Sequence, residues 1–144
     1  MKNIILSIPF FFLVGCFGQS NLFDDQTLQG KLSGKDWVAM HVSSQVYDFG
    51  GGNKKENPSI YSEACSGFSC LPLQSSSISF GNLDTSVSEG SFDLNNNITI
   101  YTPPSNNVIV TAGNYRVSNE GGKTKLEIEF AHDENNYLNG FIVY

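Results

Sequence analysis

Two hydrophobic patterns divide the chain. The first is continuous: Ile4 to Val14 is almost wholly apolar, broken by Ser7 and Pro9. The second begins at Leu28 and has a period of two, the repeat of a strand with one buried face. Leu28, Gly30 and Leu32 alternate with Gln29, Lys31 and Ser33; after Gly34-Lys35-Asp36, Val38, Met40 and Val42 alternate with Ala39, His41 and Ser43, and the run continues to Tyr47. This predicts a long first hairpin with Trp37 at the start of a strand, where an indole serves as a core anchor. Ser77-Ile78-Ser79-Phe80 resumes the alternation. Further hairpins are predicted for Ser91–Leu94 with Ile98–Tyr101 around Asn95-Asn96-Asn97, for Val108–Thr111 after Pro103-Pro104-Ser105-Asn106-Asn107, and for Asn114–Val117 after Ala112-Gly113. The last hairpin is the clearest. Lys125, Glu127 and Glu129 face water, Leu126, Ile128 and Phe130 face in, Asp133-Glu134-Asn135-Asn136 turns, and Leu138–Tyr144 returns. Nowhere do ten residues carry a helical stripe. Short strands at this spacing predict an all-β domain over residues 28–144, an antiparallel β-sandwich, with a small up-and-down, lipocalin-like barrel as the alternative.

The continuous run reads differently. Met1-Lys2-Asn3 supplies a positive start, and about ten apolar residues lead to small Gly15, the arrangement of a secretory signal. Such a run is shorter than the ~20 residues that span a bilayer. Leu13-Val14-Gly15-Cys16 resembles the lipobox of bacterial lipoproteins. That resemblance implies a signal peptide over 1–15, diacylglyceryl transfer to the Cys16 thiol, and a mature chain beginning at Cys16; cleavage after Gly18 is the alternative. With Phe17 rather than Asp after the cysteine, it also implies the outer membrane. Residues 16–27 read as a solvated, lipid-anchored tether, and their acidic pair Asp24-Asp25 resembles a surface-export tag.

Removing 15 of 144 residues leaves 129, enough for one domain. Lys2 is the only charge lost, so 7 basic face 14 acidic side chains, a net charge of −7. That balance argues against nucleic acid and against electrostatic docking on anionic lipid. With Cys16 acylated, Cys65 and Cys70 remain, and an even pair in an oxidising compartment suggests a disulfide. Its ring around Ser66-Gly67-Phe68-Ser69 is worth roughly 2 kcal/mol at most, a local pin for one loop. Zinc needs further ligands, and only His41 and His132 are available.

Over most of the mature part the chain is similar to small lipoproteins of Bacteroidota. The residues that carry this are the lipobox, Gly34-Lys35-Asp36-Trp37, Glu63-Ala64-Cys65, Ser79-Phe80, Gly90-Ser91-Phe92, Ile98-Thr99-Ile100-Tyr101, Ala112-Gly113, and the closing Asp133-Glu134-Asn135-Asn136 with Asn139-Gly140-Phe141. The resemblance implies a location and a fold, and brings no catalytic residues to carry over.

Candidate chemistry is sparse. Gly50-Gly51-Gly52 lacks the Gly-Lys-Ser/Thr of a phosphate cradle and reads as a mobile loop over 48–58. Asp93, Asn95 and Asn97 have the spacing of the first calcium-loop ligands, but Ile98 and Pro104 stand where glycine and glutamate are needed. Asp133-Glu134 with Asn135-Asn136 reads as a hairpin turn, with a weak calcium site as the alternative. No serine sits in Gly-x-Ser-x-Gly, His41 and His132 are far apart, and Glu127 and Glu129 share a solvated face, so neither triad nor carboxylate pair is indicated. The expectation is a non-catalytic binding or scaffold module without metal or cofactor, engaging a protein or glycan partner through loops 48–58 and 65–70. A carrier of small hydrophobic ligands is the alternative, if the strands enclose a cavity.

Overall fold

The computed structural model describes residues 22–50, 54–63, 76–85 and 88–144. Cys16, Cys65 and Cys70, and with them the expected acylation site, disulfide and 65–70 loop, lie outside the described residues. Every regular element among those described is a strand: β1 (Gln29–Leu32), β2 (Lys35–Val38), β3 (His41–Asp48), β4 (Lys54–Tyr61), β5 (Ser77–Phe80), β6 (Leu83–Asp84), β7 (Glu89–Ser91), β8 (Ile98–Thr102), β9 (Asn106–Val110), β10 (Asn114–Glu120), β11 (Lys123–Asp133) and β12 (Asn136–Val143). They form two antiparallel sheets. The front sheet runs β2-β1-β12-β11-β10-β7 and the back sheet β3-β4-β5-β8-β9, with β6 following β5 along β4. Both sheets have open edges, so the fold is the expected sandwich and not the barrel.

The core forms where the inward positions of the two sheets meet. Leu28, Leu32, Leu126, Ile128, Phe130 and Leu138 from the front face Ile60, Ile78, Phe80, Leu83, Ile98, Ile100 and Val110 from the back, all essentially without solvent contact. Phe92 joins the layers, with its ring centroid 5.9 Å from that of Phe80 and 5.4 Å from that of Tyr115. Gly90 lies opposite Tyr115 in the β7–β10 pair, and a Cβ there would fall 2.4 Å from the Tyr115 hydroxyl, so the glycine is what admits the ring.

Several predicted hairpins are instead passages between sheets. The stretch from Trp37 to Tyr47 is not one strand: the chain leaves the front sheet after Val38 and enters the back sheet at His41. Because the inward side inverts at such a crossing, Trp37 and Ala39 are buried while Val38 and Met40, expected inside, are exposed. Likewise β7 and β9 do not pair with the strands that follow them. Asn95–Asn97 and Ala112–Gly113 carry the chain across the sandwich. In the first of these crossings the Asp93 carboxylate accepts hydrogen bonds from the Asn95 and Asn96 amides, both at 2.7 Å, an Asx turn that serves a crossing as well as a hairpin. The final hairpin has the expected faces, joined by the β10–β11 hairpin at Gly121-Gly122.

The expected loop 48–58 is mostly strand. Residues 54–58 pair with β3, and Pro58 falls between the part of β4 covered by β6 and the part covered by β5. This is a position where a missing donor costs little. Val46 is on the core-facing side yet 62% exposed, so this hairpin extends past the facing sheet and leaves Tyr47 and Phe49 exposed at its tip.

Residues 22–27, expected as the end of a solvated tether, lie on the outer face of the front sheet. Phe23 is buried, with the Arg116 guanidinium 4.9 Å from its ring centroid. The Asp24 amide donates to Asn139 Oδ1 at 2.9 Å, and the Gln26 carbonyl accepts from the Phe141 amide at 2.8 Å. Gly140 makes room for this strap, since a Cβ there would lie 2.6 Å from the Gln26 carbonyl oxygen. One buried aromatic and a few main-chain bonds convert a polar-looking tail into a docked element.

Candidate functional site

One partly enclosed concavity among the described residues begins with a tight turn. Leu32 pairs with Lys35 across Ser33-Gly34, which have φ of 54° and 76°. Two left-handed residues in a row make a type I′ turn, which suits glycine far better than serine. Ser33 is held there from both sides. Its amide donates to Asn136 Oδ1 at 2.9 Å, and its hydroxyl shares a hydrogen bond with Thr102 Oγ1 at 2.5 Å. Backbone strain of this kind costs of order 1 kcal/mol and collects at functional sites.

This turn walls a cleft of about 170 Å³ between the sheet edges. Four hydroxyls line it, from Ser33, Ser62, Ser76 and Thr102; Lys35 and Asp36 stand at its rim, and Leu32, Trp37 and Pro103 supply the apolar surface. Ser76 Oγ donates to Thr102 Oγ1 at 3.3 Å, and the Trp37 indole N–H donates to the Ser76 carbonyl at 2.7 Å. Trp37 is only 4% exposed, so it is the floor and a core anchor rather than a stacking platform. A single buried indole thus fixes the β2 edge to the chain entering β5 and holds the hydroxyl cluster in place.

The other expected positions are dispersed. His41 begins β3 in the back sheet and stacks on Tyr61, with centroids 6.1 Å apart; it borders a shallow, open groove with Met40, Phe141 and Tyr144. His132 ends β11 in the front sheet, 3.9 Å from Asp133 Oδ2. The two imidazoles therefore belong to different sheets and different surroundings. Both Asp133 carboxylate oxygens accept from Asn136 Nδ2, and Oδ1 also takes the Asn135 amide; these bonds hold the carboxyl below the usual range. That carboxylate is committed to closing the turn. Among the described residues no group of three or more His, Cys, Asp or Glu is placed to hold a metal ion.

Glu127 and Glu129 are not a free pair of acids. Arg116 reaches Glu127 at 3.5 Å and Glu89 at 2.7 Å, Lys125 reaches Glu127 at 3.7 Å, and Asn114 donates to Glu129 at 3.3 Å. The hydrogen bond to Glu89 raises the guanidinium pKa further. A group absent from the sequence reading is Glu56, buried on the inward side of β4, where Ser44 donates to its carboxylate. Tyr144 lies nearby with its hydroxyl buried and lacking a hydrogen-bond partner among the described residues; burial, and then the Glu56 charge, push its phenol well above the usual range. The inward parity of Glu56 with Ile60 was its only signal in the sequence. No protein-family model, curated protein or solved structure matches the chain, so the residues themselves carry the functional reading.

Proposed function

We propose that this protein is a lipid-anchored outer-membrane lipoprotein of the Bacteroidota type that works as a non-catalytic binding module. The anchor rests on the lipobox-like Leu13-Val14-Gly15-Cys16. The module reading rests on one observation: the space between the sheets is filled by packed side chains of the core. A carrier needs an enclosed volume of about 300–1,000 Å³ to bury a small ligand. The cleft, at about 170 Å³, takes one protruding group of a larger partner instead. Its four hydroxyls, one cationic and one anionic rim residue suit a polar group, such as a sugar unit or a peptide side chain. The hairpin tip with Tyr47 and Phe49 lies seven residue steps along β4 from the cleft end, roughly 24 Å at strand rise.

The test is extraction of the tagged, full-length protein from outer membranes in detergent. A stoichiometric macromolecular companion is expected, lost when Lys35→Glu and Asp36→Lys reverse the rim charges; a bound small apolar molecule would instead establish the carrier. Palmitate incorporation into the wild type and not into Cys16→Ala tests the anchor separately.

A further inference from the structure

Three strands of the back sheet change character together at the cleft. Ile60, Ile78 and Ile100 stand in register across β4, β5 and β8, without solvent contact. Two residues towards the cleft, the same inward positions are Ser62, Ser76 and Thr102, so a row of aliphatic side chains gives way to a row of hydroxyls. The front sheet adds a fourth on Ser33, at a turn position where glycine would be less strained. Ser33, Ser76 and Thr102 form one cluster about Thr102 Oγ1, with Ser33 Oγ at 2.5 Å and Ser76 Oγ at 3.3 Å. Each hydroxyl has one proton to give and two lone pairs to receive. Two protons are spent inside the cluster whichever way the Ser33–Thr102 bond runs, which leaves one donor and up to four accepting sites for whatever enters.

We infer that this cleft binds a single neutral sugar unit, at the end or at a branch of a glycan, with its hydroxyls on the Thr102 cluster and a C–H face against Leu32, Trp37 and Pro103. This rests on the binding-module reading and names the chemistry that the module recognises. A carboxylate or a phosphate brings no donor of its own and would meet a cluster with one proton to offer. An ammonium would leave water for a cleft whose interior holds hydroxyls and no carboxylate, and at the rim Lys35 cancels Asp36, so no net charge draws it in. A sugar hydroxyl both gives and accepts, as the cluster requires, and the ring that carries it has an apolar face as well. A peptide amide matches the polar half of the cleft and brings less to the apolar half. At about 170 Å³ the cleft is smaller than a site that swallows a ligand whole, so one ring enters and the rest of the glycan stays outside.

The test uses the full-length, lipidated protein in a detergent without a sugar headgroup. Trp37 is the chain's one tryptophan and floors the cleft, so its fluorescence reports occupancy. The probes are the methyl glycosides of glucose, galactose, mannose and N-acetylglucosamine, with methyl glucuronide, N-acetylasparagine amide and methylammonium beside them. A saturable change with at least one neutral glycoside is expected. Binding roughly tenfold weaker is expected in Thr102→Val, which keeps the side-chain shape and removes the hub of the cluster. Ser76→Ala reads the same loss should the valine variant melt early. Saturation by the amide, the glucuronide or methylammonium in place of the neutral glycosides overturns the sugar and leaves the module standing. A response to none of the probes, from a protein that still yields its macromolecular companion, does the same; without a companion, that silence overturns the module as well. A glycoside response unchanged in both variants overturns the cleft as the place where sugar binds.

Discussion

Replacing Phe23 with alanine removes the strap's only large buried side chain and predicts a local, measurable detachment. Phe23 is 7% exposed. Burying a phenylalanine side chain contributes about 1.5–3 kcal/mol. The Arg116 guanidinium over its ring adds about 0.5–1 kcal/mol at a partly exposed site. The substitution therefore removes roughly 2–4 kcal/mol of docking free energy. Holding residues 22–27 in place costs about 1–2 kcal/mol of backbone entropy per residue, so the strap has little margin without its anchor. The loss in global stability is capped at what the docked strap contributed, because the core strands do not depend on Phe23. Amide exchange reads this directly. In Phe23→Ala, the Asp24 and Phe141 amides, which donate to Asn139 and to the Gln26 carbonyl, lose protection, while those of Leu126–Phe130 in β11 keep theirs. Phe23→Leu keeps apolar burial without the ring and falls between the two. Unchanged protection at Asp24 and Phe141 in the alanine variant, with no loss of melting temperature, would show that Phe23 is not what holds the strap.

Three further outcomes follow from the same contacts. In Gly90→Ala the new Cβ meets the Tyr115 ring, and the overpacking costs about 1–3 kcal/mol in denaturant unfolding; adding Tyr115→Leu recovers part of it. Ser33→Gly relieves a left-handed serine worth roughly 1–2 kcal/mol and loses a hydroxyl bond worth about 1 kcal/mol, so the melting temperature hardly moves while binding at the cleft weakens. Tyr144 has its folded pKa raised above the ordinary value of 10.0, so the folded state favours the neutral phenol: this contribution is complete below pH 10 and is lost as pH rises from there towards the folded value. Tyr144→Phe should flatten part of that alkaline loss, and Tyr115, which burial shifts in the same direction, contributes to what is left.

Alternation along the chain made the faces of the strands legible, but not their partners. Leu126, Ile128 and Phe130, and Leu28 with Leu32, are buried as their period of two requires. A period of two is the same whether the next strand pairs in the same sheet or lies in the opposite one, and an Asn-rich or Gly-containing turn serves either path. That is why Asn95–Asn97 and Ala112–Gly113 read as hairpins and are crossings. The inversion of the inward side at Val38–Met40 is invisible for a further reason: two apolar residues, Val38 and Met40, continue the pattern across a crossing that exposes them. The Gly and Asn content of residues 48–58 suggested a loop, yet eight residues of β4 pair with β3, because cross-strand neighbours can outweigh weak local propensity.

The cleft was less legible than the fold, and the reason is distance along the chain. Its hydroxyls come from the β1–β2 turn, the end of β4, the approach to β5 and the end of β8; none has a neighbour in sequence that marks it, and only the strand registers bring them together. Trp37 was recognisable as an anchor, but its tie to the Ser76 carbonyl depends on two sheets meeting at an edge. The strap was hidden differently. Residues 22–27 are mostly polar, and a single phenylalanine among them carries no periodicity; what docks it is an arginine 93 positions later in the sequence.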